Sequence, residues 1–172
     1  GIYAKNSSID VQGYSGTISM GSKGIAIYAD DSNLTSGSFN TVYSSGAGDK
    51  GVGIYYKGSS PIINTAEVVH TGNHLVSIYA DGVNISNSGN QTIQDDGIGI
   101  YANNGSSLNN TGILNLSGKD TVGIYIDGAS VVTGLGTING TPVSIGNKIG
   151  AYVKNGDITG NSTYNFGVNK GV

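Results

Sequence analysis

The chain has 172 residues, 30 of them glycine, with only 11% charged residues, a formal net charge of −3, and no arginine, cysteine or tryptophan. This excludes disulfides, cysteine-based metal sites, and the clustered positive charge that nucleic acids and anionic membrane surfaces require. At 37% hydrophobic it is too apolar for a disordered linker, yet no apolar run approaches the roughly 20 residues of a membrane-spanning helix.

The chain opens on Gly1-Ile2-Tyr3-Ala4. The motif returns as Ala26-Ile27-Tyr28, Gly53-Ile54-Tyr55, Ser77-Ile78-Tyr79, Gly99-Ile100-Tyr101, Gly123-Ile124-Tyr125 and Gly150-Ala151-Tyr152. The tyrosines are spaced by 25, 27, 24, 22, 24 and 27 residues. That period is too short for propeller blades of about 40 residues or helical repeats of over about 30, and suits a solenoid coil. Leucine-rich repeats share it, but six leucines are too few for their framework. No window keeps a helical apolar stripe free of Gly, Asn and β-branched residues, so strands remain.

Repeats begin near residues 1, 24, 51, 75, 97, 122 and 149, and each opens with its Ile-Tyr strand. A turn follows, clearest at Asp81-Gly82, Asn104-Gly105, Asp127-Gly128 and Asn155-Gly156, where positive φ closes a tight corner. A second strand centres on Ile9, Leu34, Ile63, Ile85, Leu108, Val131 and Ile158, and a third on Ile18, Val42, Val68, Ile93, Ile113, Ile138 and Phe166. Stacking each strand on its counterpart predicts an all-β fold: a right-handed parallel β-helix (β-solenoid) of about seven coils of three short strands, one domain over residues 1–172. The hand follows from the crossover rule. At about 4.8 Å per rung the rod is about 34 Å long. Only Pro61 and Pro142 occur, as expected where backbone N–H groups join ladders.

Side chains alternate across a strand. On that period Ile25/Ile27/Ala29, Val52/Ile54, Val76/Ile78/Ala80, Ile98/Ile100/Ala102, Val122/Ile124/Ile126 and Ile149/Ala151/Val153 form the interior. The opposite face then carries Ala26, Gly53, Ser77, Gly99, Gly123 and Gly150 as a shallow glycine-lined strip. Beside it Tyr3, Tyr28, Tyr55, Tyr79, Tyr101, Tyr125 and Tyr152 form an outward ladder. Such a ladder is a candidate binding surface for sugars or partner strands. It also stabilises the sheet through ring contacts worth about 0.2–1 kcal/mol each, and both readings can hold at once.

Two residues beyond each tyrosine, Lys5, Asp30, Lys57, Asp81, Asn103, Asp127 and Lys154 form a column whose charges mostly alternate, which favours correct register. Lys23, Lys50, His74, Asp96, Lys119, Lys148 and Lys170 precede the strands and read as a solvated corner, the alternative being an anion site. Catalysis on acidic polysaccharides needs paired carboxylates with basic residues to hold the substrate. Here there is no arginine and one glutamate, Glu67. The doublets Asp30-Asp31 and Asp95-Asp96 lie three coils apart, about 14 Å by rung spacing, beyond the roughly 5–9.5 Å of a glycosidase pair. His70 and His74 have zinc spacing only on a helix, and with no third ligand they read as loop residues. Neither metal nor cofactor is expected.

The tail Asn169-Lys170-Gly171-Val172 matches Asp49-Lys50-Gly51-Val52, so tail joined to head would form a normal repeat boundary. With no cap evident, the expectation is a segment cut in register from a longer rod, whose open ends can stack on copies of itself. The GxGIYxxxG repeat, as in GIGIYANNG at 97–105, with the Asn/Ser/Gly-rich and Cys/Arg-poor composition, resembles passenger domains of type V autotransporters, especially the large fusobacterial-type outer-membrane adhesins. The resemblance covers essentially the whole chain. It implies a Sec signal and a C-terminal translocating β-barrel elsewhere in the parent, which would supply the only membrane contact, and display on the surface of a Gram-negative bacterium. It further implies a non-enzymatic stalk and adhesion segment that binds a protein or glycan on host cells or other bacteria. The alternative is a carbohydrate-binding or polysaccharide-degrading β-helix, as in tailspikes and pectin-degrading enzymes.

Overall fold

The computed structural model describes residues 1–10, 17–20, 23–35, 38–43, 51–70, 72–142 and 145–166, and gives the backbone alone at 38–43, 68 and 70. The first coil holds β1 (Ile2–Lys5), β2 (Ser8–Asp10) and β3 (Thr17–Met20), and the second β4 (Ile25–Asp30), β5 (Asn33–Thr35) and β6 (Ser38–Tyr43). The third holds β7 (Val52–Lys57), β8 (Ile62–Asn64) and β9 (Glu67–His70), and the fourth β10 (Val76–Asp81), β11 (Asn84–Asn87) and β12 (Gln91–Ile93). The next two merge their later strands, as β13 (Ile98–Asn103) with β14 (Ser107–Leu116) and β15 (Thr121–Ile126) with β16 (Ser130–Gly140). The last has β17 (Lys148–Val153), β18 (Gly156–Ile158) and β19 (Ser162–Phe166).

The first strands stack in chain order, β1-β4-β7-β10-β13-β15-β17, as one seven-stranded sheet. The others form a twelve-stranded sheet in which β14 pairs with both β11 and β12. Pairings are parallel, and Tyr3, Tyr28, Tyr55, Tyr79, Tyr101, Tyr125 and Tyr152 lie in register from coil to coil. The fold is therefore a parallel β-helix, as the repeat predicts. It makes about six turns rather than seven, because seven stacked strands bound six intervals.

The core is a column of isoleucines, Ile27, Ile54, Ile78, Ile100 and Ile124, facing Leu34, Ile62, Ile85, Leu108 and Val132 across the coil. Burying each such side chain contributes about 1.5–3 kcal/mol. Full burial needs the neighbouring coil as well, so no coil is stable alone.

Two strand centres shift by one residue from the sequence expectation. Ile62 and Val132 occupy the register of Ile85 and Leu108, while Ile63 is half exposed and Val131 only partly buried. In the third strands Leu114 is buried in place of the exposed Ile113. For Leu114 the cause is irregular pairing, since β14 and β16 change register at Leu108/Asn109 and again at Asn110/Ile113 and counting in twos fails across those points. Ile62 and Val132 pair regularly with Ile85 and Leu108, and there two adjacent β-branched residues leave the inward one open to a one-residue choice. The side chains of Val42 and Val68 lie outside the described residues.

The turns follow the expected chemistry. Gly82, Gly105 and Gly128 have φ of 63°, 74° and 59°, and Asn6 and Asp31 take the same left-handed conformation where a coil lacks that glycine. Inside the second sheet runs a feature the sequence reading missed, a ladder of buried asparagines. The Asn64 amide donates to Asn87 Oδ1, the Asn87 amide donates to Asn110 Oδ1 at 2.6 Å, and the Asn110 amide donates to Leu135 O at 2.8 Å. Each amide also reaches the carbonyl two residues on, at Ala66, Gly89 and Gly112. At the other end the buried Tyr56 hydroxyl donates to Asn64 Oδ1 at 2.8 Å. The ladder satisfies backbone carbonyls at a corner that water does not reach.

Candidate functional site

The outward face departs from strict alternation, and this decides what it presents. In the five middle first strands two consecutive residues point inward: Ala26 and Ile27, Gly53 and Ile54, Ser77 and Ile78, Gly99 and Ile100, Gly123 and Ile124. A strand that bends to close a coil turns both side chains at the bend toward the interior. The expected glycine strip is therefore internal. A Cβ at Gly123 would lie 2.5 Å from Gly150 O and 3.2 Å from the core atom Ile138 Cδ1, and one at Gly99 2.6 Å from Gly123 O. The residues just before the bend, expected inside, lie instead on the tyrosine side and outside the core cluster: Ile25, Val52, Val76, Ile98 and Val122. Ile25 is 37% exposed, and Val76 is almost covered at 8%. Ser77, in the internal column, is fully buried with no hydrogen bond to its hydroxyl. Ser77→Ala is thus expected to raise the urea midpoint, by about 1 kcal/mol of stability, since an unpaired buried hydroxyl is removed.

The tyrosine ladder is present. Consecutive rings lie 4.8 to 5.5 Å apart between centroids along the whole row. Tyr28 and Tyr55 stack at 12° and Tyr55 and Tyr79 at 9°, so the facing sides cover each other and the edges are open. Tyr101 breaks the stack, at 74° to Tyr79 and 71° to Tyr125. Tyr3 and Tyr152, in the first and last coils, are the most exposed of the row. Between the tyrosines and the aliphatic row lies a hollow of about 340 Å³, lined by Val52, Val76, Ile98, Tyr79, Tyr101 and Tyr125 with Gly51 at its end.

The hydroxyls reach to the following coil. Tyr55 donates to Asp81, and Tyr79 accepts from the Asn103 amide at 3.1 Å. The Tyr101 hydroxyl likewise supports the Asp127 carboxylate. Burial, and for Tyr55 also the Asp81 hydrogen bond, raises the Tyr55 and Tyr101 hydroxyls above the ordinary phenol range. The alternating column closes as ion pairs at two places, Lys5–Asp30 at 3.5 Å and Lys154–Asp127 at 3.0 Å. Between them Asp81 takes the Tyr55 hydroxyl and the Asn104 amide.

The lysine corner is not one column. Lys148 pairs in register with Thr121, is buried, and donates to the carbonyls of Leu116 and Gly118. Burial lowers its amine below the ordinary lysine range. The corner positions with left-handed backbone are Lys23, His74, Asp96 and Asp120, because the connection into β15 is longer than a strict repeat and places Lys119 one residue early. Lys50, Lys170 and the tail 169–172 lie outside the described residues.

The acidic doublets have local tasks. Asp31 accepts the backbone N–H groups of Ser59 and Ser60, each at 2.7 Å, tying the third coil's loop to the second. Asp95 accepts Lys119 N–H at 2.9 Å, and Asp96 pairs with His74 at 3.7 Å. Among the described residues no three His, Asp or Glu side chains converge as a metal site, and the His70 side chain is not described.

The Ser60 and Ser59 N–H groups hold the Asp31 carboxyl below the usual carboxylate range, and the Lys154 hydrogen bond does the same for Asp127. A carboxyl lowered in the folded state stabilises above its unfolded pKa of about 3.9, and that contribution disappears as pH falls through the lower folded value. Urea midpoints are therefore expected to fall below about pH 4, and Asp31→Asn should flatten that limb. An acid limb unchanged in Asp31→Asn would contradict the clamp.

Comparison of the chain with protein-family models, curated proteins and solved structures finds no match.

Proposed function

We propose that this chain is a structural stalk and adhesion segment of a secreted, autotransporter-like adhesin, displayed on a Gram-negative cell surface and binding host cells or other bacteria. The observation that carries the reading is the outer face of the first sheet, where mostly half-buried aliphatic and tyrosine ladders run side by side along the rod. Soluble proteins rarely leave such contiguous apolar faces open without a binding use. The remainder suits a spacer. Each coil leans only on its neighbours, the chain has no cysteine to trap it during export, and its carboxylates serve turns and loops. Rings stacked face to face offer edges to a ligand, which favours a protein surface over sugars laid on successive rings.

Two measurements test this. Antibodies against the chain are expected to label intact cells of the source, and beads coated with the folded chain to adhere to epithelial cells or partner bacteria. Labelling only after permeabilisation would overturn the display reading. Beads no stickier than uncoated ones would leave a spacer and remove the adhesion role.

A further inference from the structure

We propose that the hollow around Tyr101 docks a basic, partly apolar peptide segment of a partner protein. A lysine or arginine would lie over the Tyr101 ring, with an apolar neighbour on the Val76/Ile98 shelf. The proposal deepens the adhesion reading and rests on it only for the existence of a partner.

The first observation is the ring. Tyr79 lies within 9° of Tyr55, so its face points along the rod. Tyr101, at 74° to Tyr79, presents its edge to that neighbour and turns its own face across the rod. It is thus the ring least covered by stacking, and a cation over an aromatic face is attracted by the ring quadrupole. The second observation is the shelf. Val52, Val76 and Ile98 floor the hollow beside Tyr79, Tyr101 and Tyr125, giving it walls for one or two aliphatic side chains.

The third observation is the charge around it, which decides the class of occupant. Residues 51–147, the coils that line the hollow, contain five aspartates, Glu67 and two lysines, Lys57 and Lys119, with Lys57 in register beside Asp81. Asp81 and Asp127 follow the tyrosines on one rim, and Asp96 and Asp120 stand at the corner on the other. Asp127 is paired with Lys154 and Asp96 with His74, while Asp120 accepts Asn147 N–H. Asp81 holds two neutral donors, Tyr55 and Asn104, and pairs with no cation among the described residues. An apolar floor between acidic rims complements a segment that alternates cationic and apolar side chains, and it repels an acidic one.

The test is fluorescence anisotropy with the folded chain and three labelled peptides at physiological salt, alternating Lys-Leu, Lys-Ser and Glu-Leu. The Lys-Leu peptide is expected to bind about ten-fold or more tighter than either control. Tyr101→Ala, Ile98→Ser and Asp81→Asn should each weaken it severalfold while keeping the β circular dichroism spectrum. If Tyr101→Ala loses that spectrum, the two rim and shelf variants decide. Equal binding of Lys-Ser, or an unchanged affinity in Ile98→Ser and Asp81→Asn, would overturn the proposal, as would selective binding to a glycan array or a tyrosine-dependent dimer in sedimentation. Bead adhesion measured beside it separates the two readings: adhesion without peptide binding sinks the docking site alone.

Discussion

Gly123→Val is expected to destabilise the chain by about 3 kcal/mol, at the upper end of the overpacking range. The new Cβ would start 2.5 Å from Gly150 O, a backbone atom of the next coil, with Ile138 Cδ1 at 3.2 Å behind it. Relief requires moving β17 away from β15, which would loosen a ladder running from Thr121 to Ile126. The sign of the effect is diagnostic. If Gly123 lined an external strip, valine would relieve a glycine inside a strand and stabilise by a few tenths to about 1 kcal/mol. Urea denaturation of this variant beside Val122→Thr, which changes a residue on the outer side, distinguishes the two arrangements.

The second large effect is expected at Asn87, at the centre of the buried ladder. It accepts from the Asn64 amide and donates to Asn110 Oδ1 and Gly89 O. Asn87→Ala strands Asn110 Oδ1, weakens the Asn64 and Gly89 contacts and opens a cavity, at a cost of about 3 kcal/mol. Asn87→Asp keeps the shape but loses the donor and places a carboxylate opposite another oxygen. It should be the worse variant at neutral pH and recover partly in mild acid, where the protonated carboxyl can donate again. Denaturation of both variants at two pH values checks this. An aspartate variant no worse than alanine at neutral pH would mean that water enters the ladder.

Much of the fold is legible in the residues. The tyrosine spacing fixes the period, and the Asp-Gly and Asn-Gly pairs mark corners that do carry positive φ. The tyrosines' outward direction and register also follow from the repeat. The face beside them does not, because period-two counting assumes a straight strand and these strands bend between residues such as Gly99 and Ile100. A usable signal was present: that position holds only Gly, Ala or Ser in every coil from Gly1 to Gly150, as a tight interior site demands. The asparagine ladder also left a trace, since Asn64, Asn87 and Asn110 recur at 23-residue intervals, each followed two positions later by Ala or Gly. A polar residue in an Asn-rich chain gives no sign of burial by itself. The lysine corner misled for a third reason. The connection between β16 and β17 differs in length from the others, so Lys148 lies inside the coil.

The first sheet has one defining arrangement, in which the aliphatic row shares the outer face with the tyrosines and the small-residue row is buried. Because the chain has no native cysteine, single cysteines with a maleimide probe report each position directly. Ile25→Cys is expected to label in the native state at close to the rate of an exposed thiol, and the half-buried Ile98→Cys more slowly but without unfolding. Ser77→Cys, a near-isosteric change at a fully buried position, should label only after unfolding. Rapid native labelling of Ser77→Cys with protection of Ile25→Cys and Ile98→Cys would contradict the arrangement, and with it the proposed binding face.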